Sequence, residues 1–242
     1  DFLSFGLTYE QTSLTTYSDS PVQYTRFVNE FGKDNDTVRL DTSWSRDTRD
    51  SYLFPTKGLM QRVAAEVGTP GGSLQYYKLS FQHQQYIPLS KSFTLMLNGE
   101  VGIGDGLSGK PLPFFKNFYA GGNSSVRGFK TGTLGPKDAN GDALGGDKRV
   151  VGNAEVFFPL PGLKDDQSLR MSAFVDAGAT FGPDDKDNLY KTFAFGDLRY
   201  SAGIAVLWVS PLGPLKFSLA QPIVKKTGDK AEMFQFTLGN VF

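Results

Sequence analysis

Arg127 is the residue best placed to do chemistry in this chain. It stands in the stretch Gly121-Gly122-Asn123-Ser124-Ser125-Val126-Arg127-Gly128-Phe129, a single cation between flexible glycines and an aromatic anchor. A guanidinium is a planar fork of donors that matches a carboxylate and does not titrate in proteins, so its natural work is clamping rather than proton transfer. It needs acidic partners, and the flanking strand patterns offer them. Other chemistries are thinly supplied. Cysteine is absent, which removes disulfides, thiolate nucleophiles and thiolate metal sites. His83 is the only histidine, so a Ser-His-Asp triad would have to use it and a multi-histidine zinc site is excluded. No catalytic residue, metal or cofactor is expected.

The elements that position Arg127 follow from periodicity. It lies in a segment over 104–147 that is rich in Gly, Pro and Asp. A connection of about forty residues is far longer than usual in a compact domain, so it is functional or disordered. Pro113-Phe114-Phe115-Lys116-Asn117-Phe118-Tyr119 is too aromatic for disorder, and an ordered loop is predicted. Around it, apolar and polar residues alternate with period two, the mark of strands with one face on an apolar surface. The alternation predicts about ten strands, near 3–9, 37–46, 59–67, 74–87, 92–103, 149–158, 168–180, 197–209, 215–221 and 231–242. In the sixth, Glu155 falls opposite Val150, Ala154, Val156 and Phe158. In the seventh, Asp176 falls opposite Leu169, Met171, Ala173, Val175 and Ala177. One helix is predicted, with Ser20-Pro21 as N-cap and first-turn proline, Tyr24, Phe27, Val28 and Phe31 at helical spacing, and Gly32 as the stop. It reads as a short amphipathic helix lying over a loop, or as a membrane-surface contact through its aromatics.

Lys plus Arg equals Asp plus Glu at 25 each, so no basic patch points to nucleic acid. No apolar run reaches the ~18 residues of a transmembrane helix, but a barrel strand needs only ~9–11, with every second side chain in lipid. The 21 Phe, 10 Tyr and slightly negative mean hydropathy suit that arrangement. Tyr9, Trp44, Tyr200 and Trp208 fall near strand ends, as an interfacial girdle requires. Short turns after strands two, four, six and eight contrast with long connections after one, five and seven, and the polar loop after the seventh opens at Gly182-Pro183-Asp184-Asp185. The fold class expected is all-β, an antiparallel transmembrane β-barrel. The abrupt opening in a strand pattern suggests a mature product or a truncated chain. His83 is expected near a short-turn end, as an interfacial or structural residue.

Three stretches carry a resemblance: Val126-Arg127-Gly128-Phe129 in the long loop, Phe174-Val175-Asp176-Ala177-Gly178 in a later strand, and the terminal Gln235-Phe236-Thr237-Leu238-Gly239-Asn240-Val241-Phe242. Gly104-Asp105-Gly106-Leu107, Asn117-Phe118-Tyr119-Ala120-Gly121-Gly122 and Ser210-Pro211-Leu212-Gly213-Pro214-Leu215 support it. Together the chain resembles the BamA family of outer-membrane assembly factors over essentially its whole length. The resemblance implies the C-terminal portion of a sixteen-strand barrel whose long loop (104–147) folds inward, with the first strands and the periplasmic POTRA domains outside this chain. It implies a non-enzymatic insertase of the bacterial outer membrane. Its partners would be unfolded outer-membrane proteins, lipoprotein subunits reached through POTRA domains, and outer-membrane lipids, with no nucleic acid.

The resemblance also implies site roles. Arg127, with Val126, Gly128 and Phe129, would lock the loop onto Glu155 and Asp176 inside the barrel. Gln235, Phe236, Leu238 and Gly239 would form a lateral gate at which substrate strands add by β-augmentation, with Gly239 letting the strand kink inward or making room for a neighbour. Phe242 would be the terminal aromatic that the assembly machinery recognises. A related transporter of the same superfamily is the main alternative. A protease-like barrel using His83 and a passive porin are the others, and an inward loop bearing Arg127 and large aromatics argues against the porin.

Overall fold

The computed structural model describes residues 1–160, 162, 168–182, 195–211 and 213–239. Ten strands form one antiparallel sheet in which each strand pairs with its neighbour along the chain. They are β1 (Phe2–Ser13), β2 (Asp34–Asp47), β3 (Gly58–Gly68), β4 (Tyr76–Pro88), β5 (Thr94–Gly106), β7 (Lys148–Pro159), β8 (Leu169–Phe181), β9 (Arg199–Ser210), β10 (Gly213–Val224) and β12 (Phe234–Leu238). Two two-residue strands, β6 (Gly128–Phe129) and β11 (Ala231–Glu232), pair with each other apart from that sheet. The all-β barrel-wall architecture expected from alternation is the one observed. The sheet is open: β1 and β12 are its edges and do not pair.

Alternation decides what each face carries, because successive Cβ atoms of a strand point to opposite sides. On the outer face Leu97, Val101, Ile103, Ile204 and Trp208 are exposed, an apolar band of the kind that barrel strands turn toward lipid. The long loop between β5 and β7 lies on the inner face, over Glu155, Ser172, Phe174 and Asp176. Side chains here are buried by the loop rather than by a second sheet. Val126, Phe129, Ala120 and Leu134 form an apolar cluster of the loop itself.

The helix α1 (Val22–Phe31) stops at Gly32, whose φ of 86° suits glycine. Its start differs from expectation. Pro21 occupies the cap position itself, and the Ser20 hydroxyl accepts the Tyr17 N–H instead of capping the helix. The membrane-surface reading of its aromatics is corrected: Tyr24 stacks on Phe114 with ring centroids 3.9 Å apart, and Phe27 meets Phe114 and Phe115 edge-on. Those rings are consumed by the base of the long loop.

The last predicted strand is also corrected. The segment expected as one strand over 231–242 divides into β11 and β12, and among the described residues β12 ends at Leu238. Ala231 and Glu232 leave the sheet to pair with Phe129 and Gly128 of the loop, and the Met233 carbonyl accepts the Ala220 N–H at the switch point. A chain that must serve both the wall and the loop cannot keep one register. His83 lies on the outer face of β4, paired across to Gln61, whose amide stands 3.1 Å from its Nδ1. The polar loop expected after Gly182, and Leu212, Asn240, Val241 and Phe242, lie outside the described residues.

Candidate functional site

Arg127 is 2 % exposed and its guanidinium uses all three nitrogens. Nε and Nη2 donate to the two oxygens of Asp176, each at 2.7 Å, a bidentate fork. Nη1 donates to Glu155 Oε2 at 2.9 Å, and the Arg127 backbone N–H donates to Asp176 Oδ2 at 3.0 Å. The guanidinium carbon lies 3.3 Å from the centroid of the Phe174 ring, on the same face of β8 as Asp176. Planar stacking with bidentate bonding is available to arginine and not to lysine.

The loop presents Arg127 through local geometry. Gly128 has a φ of 85°, a left-handed conformation that favours glycine, and the Gly122 N–H reaches back to the carbonyls of Val126 and Phe129. The Ser125 hydroxyl accepts the Gly121 N–H, which closes the turn. Val126 and Phe129 are buried on either side, so the motif is an apolar plug with a cation at its tip.

The wall supplies more than the two carboxylates. Asn153 donates to Asp176 Oδ1 at 2.8 Å and to the Ser125 carbonyl at 2.7 Å, and Ser172 donates to Glu155 Oε1 at 2.5 Å. Lys216 of β10 brings a second cation to 3.9 Å from Glu155 Oε2. Two cations thus face two carboxylates in a water-poor site. Desolvation consumes much of the Coulomb gain of such a group, and its value lies in geometry: removing one member strands the others. Sequence reasoning missed Lys216, Asn153, Ser172 and Phe174 as members. Alternation already placed all four on the inner face, which was the available signal.

The loop has two further cationic anchors. Lys116 meets Glu10 at 3.1 Å and Glu66 at 3.5 Å near its start. Lys137 meets Asp229 at 2.9 Å, and Arg199 of β9 meets the same carboxylate at 3.0 Å. The β10–β12 connection carrying Asp229 is therefore bound to the loop as well.

The terminal strand expected as a gate places Phe234, Phe236 and Leu238 outward and exposed, and Gln235 inward and buried. Gly239 has a φ of 95°, and among the described residues a Cβ there would meet nothing within 4 Å. Its glycine is called for by backbone conformation, so the expectation that it makes room for a neighbour is corrected.

The Omp85 superfamily domain matches residues 1–242, and the chain belongs to that superfamily. Within it, the chain is 42% identical over 273 residues to the outer membrane protein assembly factor BamA of Neisseria meningitidis serogroup B, covering all of this chain and 34% of that protein. It is 31% identical to the sorting and assembly machinery component 50 homolog of Mus musculus, over 76% of this chain and 41% of that protein. The crystal structure of BamA from Haemophilus ducreyi lacking POTRA domains 1-3 superposes with a TM-score of 0.86 at 28% identity, covering 97% of this chain and 49% of that one. The chain spans between a third and a half of these relatives' length. The family resemblance carried by the loop, strand and terminal motifs is borne out.

Proposed function

We propose that this chain is the C-terminal part of the barrel of a non-enzymatic insertase, which folds and inserts β-barrel proteins into the bacterial outer membrane. The relatives are named assembly factors, which supports assembly as the general role. The observation that carries the finer reading is the edge at β12. Among the described residues this strand is five residues long and pairs with five of the twelve residues of β10. Its outward face carries exposed Phe234, Phe236 and Leu238. A terminal strand held by so short a ladder exchanges partners readily, which suits β-augmentation by an incoming strand. The free edge of β1 is the place for the remaining strands of the wall, and POTRA domains carried elsewhere in the protein would recruit lipoprotein subunits and unfolded substrates. Arg127, Glu155 and Asp176 act here as a lock that keeps the loop seated.

The test is reconstitution of the complete protein in lipid vesicles, with a photo-crosslinker at Phe236 on the terminal strand or at Leu219 on β10. Substrate captured at Phe236 during productive folding, and not at Leu219, supports the gate. Productive folding with no capture at Phe236 overturns the gate, and loss of any acceleration over protein-free vesicles overturns the insertase.

A further inference from the structure

One of the side chains through which the terminal strand touches the loop tip behaves like backbone. Gln235 is 6% exposed. Its Oε1 accepts the Gly128 N–H at 3.3 Å and its Nε2 donates to the Phe129 carbonyl at 2.8 Å. A side-chain amide has one acceptor and one donor group, and here they meet the donor and acceptor of two successive residues. The same tip is held at two other levels. Lys130 N–H donates to the Lys230 carbonyl beside the β6–β11 pair, and Asn123 Nδ2 donates to Thr237 Oγ1 at 2.8 Å. Asn123 Oδ1 in turn accepts from Ser218 of β10 at 2.8 Å.

We infer that Gln235 is a positioning residue that couples the terminal strand to the Arg127 loop, so that release of the β12 edge and unseating of the loop tip are one event. The physical reason is continuity. Arg127 bonds the tip to β7 and β8, while its neighbours Gly128 and Phe129 bond Gln235. Moving β12 away strips the acceptor from the buried Gly128 N–H, and such orphaned groups are strongly disfavoured. Moving the tip away strips the Gly128 donor from Gln235 Oε1 and the Phe129 carbonyl from its Nε2, which is left with Glu232 Oε2 at 3.0 Å as its one remaining partner among the described residues. Neither element can leave alone without that loss, and leaving together avoids it. The β12–β10 register covers Leu215 to Leu219, with one backbone bond beyond each end, from Ala220 N–H to the Met233 carbonyl and from Gly239 N–H to the Pro214 carbonyl, and the tip adds to what this short ladder holds. For the consequence on assembly this inference rests on the gate reading above; for the coupling itself it does not.

The experiment reads amide hydrogen exchange in the complete protein in lipid vesicles, over peptides spanning 121–130 and 234–239. Gln235→Leu keeps the bulk and removes the amide. It is expected to raise exchange about tenfold or more in both peptides while β9 keeps its protection. Arg127→Lys, introduced at the far side of the tip, is expected to raise exchange in 234–239 as well. A Gln235→Leu effect confined to 234–239, or an Arg127→Lys effect confined to 121–130, overturns the coupling. Because the chain has no cysteine, the pair Asn123→Cys with Thr237→Cys provides a covalent substitute for one clasp. Its oxidised form in the Gln235→Leu background is expected to return both peptides to native protection, and failure to restore 121–130 counts against the coupling. If the oxidised pair restores protection and assembly stops, the gate reading stands with it. If protection is restored and assembly continues, the gate reading fails while the coupling survives.

Discussion

Lys216 Nζ stands 3.9 Å from Glu155 Oε2, the same oxygen that accepts a 2.9 Å hydrogen bond from Arg127. One buried carboxylate oxygen is thus shared between a cation of the wall and a cation of the loop. The wall holds that carboxylate compensated in part before the loop contributes its own charge, and the loop completes the set.

Removing Lys216 and Glu155 together is therefore expected to be milder than the separate effects combined. Glu155→Gln leaves buried Arg127 and half-buried Lys216 facing one carboxylate and is expected to destabilise the barrel by about 3–5 kcal/mol, the range for breaking a buried pair from one side. Lys216→Met with Glu155→Gln should recover part of that, with a coupling of about 0.5–3 kcal/mol. Urea unfolding of the four members of this cycle in lipid or detergent measures it. Strict additivity would show that the two side chains do not interact.

Arg127→Ala is expected to cost about 3–5 kcal/mol and to expose the loop, since Asp176 then loses its ion-pair partner and Glu155 keeps only the more distant Lys216. Arg127→Lys retains the charge but loses the fork and the stack on Phe174, so its effect should fall between wild type and alanine. Protease cleavage within 104–147 and heat-modifiable migration of the folded barrel report the two quantities separately.

The Asp229 anchor is expected to be insensitive to pH near neutrality and to fail in acid. Burial opposes ionisation of this carboxylate, but the hydrogen bonds from Arg199, the Lys226 N–H and Lys137 more than offset it and hold its carboxyl below the usual range. A group whose folded value is depressed stabilises the fold above the unfolded value of ~3.9, and that contribution is lost as pH falls through the folded value. Thermal unfolding followed from pH 7 downward should show a loss below ~4 that is smaller in Asp229→Asn. That variant should already be weaker at pH 7. An acid limb unchanged by the substitution would show that other carboxylates carry it.

Gly178→Ala is expected to destabilise by about 1–3 kcal/mol through overpacking. A Cβ at this position would lie 2.8 Å from Val126 Cγ2 and 2.8 Å from the Val150 carbonyl oxygen. Adding Val126→Ala removes the first clash and leaves the second, so partial rescue in calorimetry or urea unfolding is the expected signature. Full rescue would assign the glycine to the loop contact alone.

Period-two alternation settles the face of every wall residue, because the pleat sends neighbouring side chains to opposite sides wherever the strand pairs. On that basis Glu155, Asp176, Asn153, Ser172 and Lys216 were all assignable to the inner face before any contact was known. The antiparallel order also followed, from short turns alternating with longer connections. The loop has no such period. That Arg127 meets Glu155 and Asp176, 28 and 49 residues away, was expected only through the resemblance, while the turn of Lys116 back to Glu10 and the sharing of Asp229 by Lys137 and Arg199 were settled by packing alone. So was the departure of Ala231 and Glu232 from the sheet. A segment rich in Phe and Leu reads as one continuous strand until a competing partner claims part of its backbone, and that partner, Gly128–Phe129, lies about a hundred residues earlier in the chain. Local pattern records which side a residue faces. Partner choice across such separations depends on how the whole wall packs against the loop, and no local window contains it.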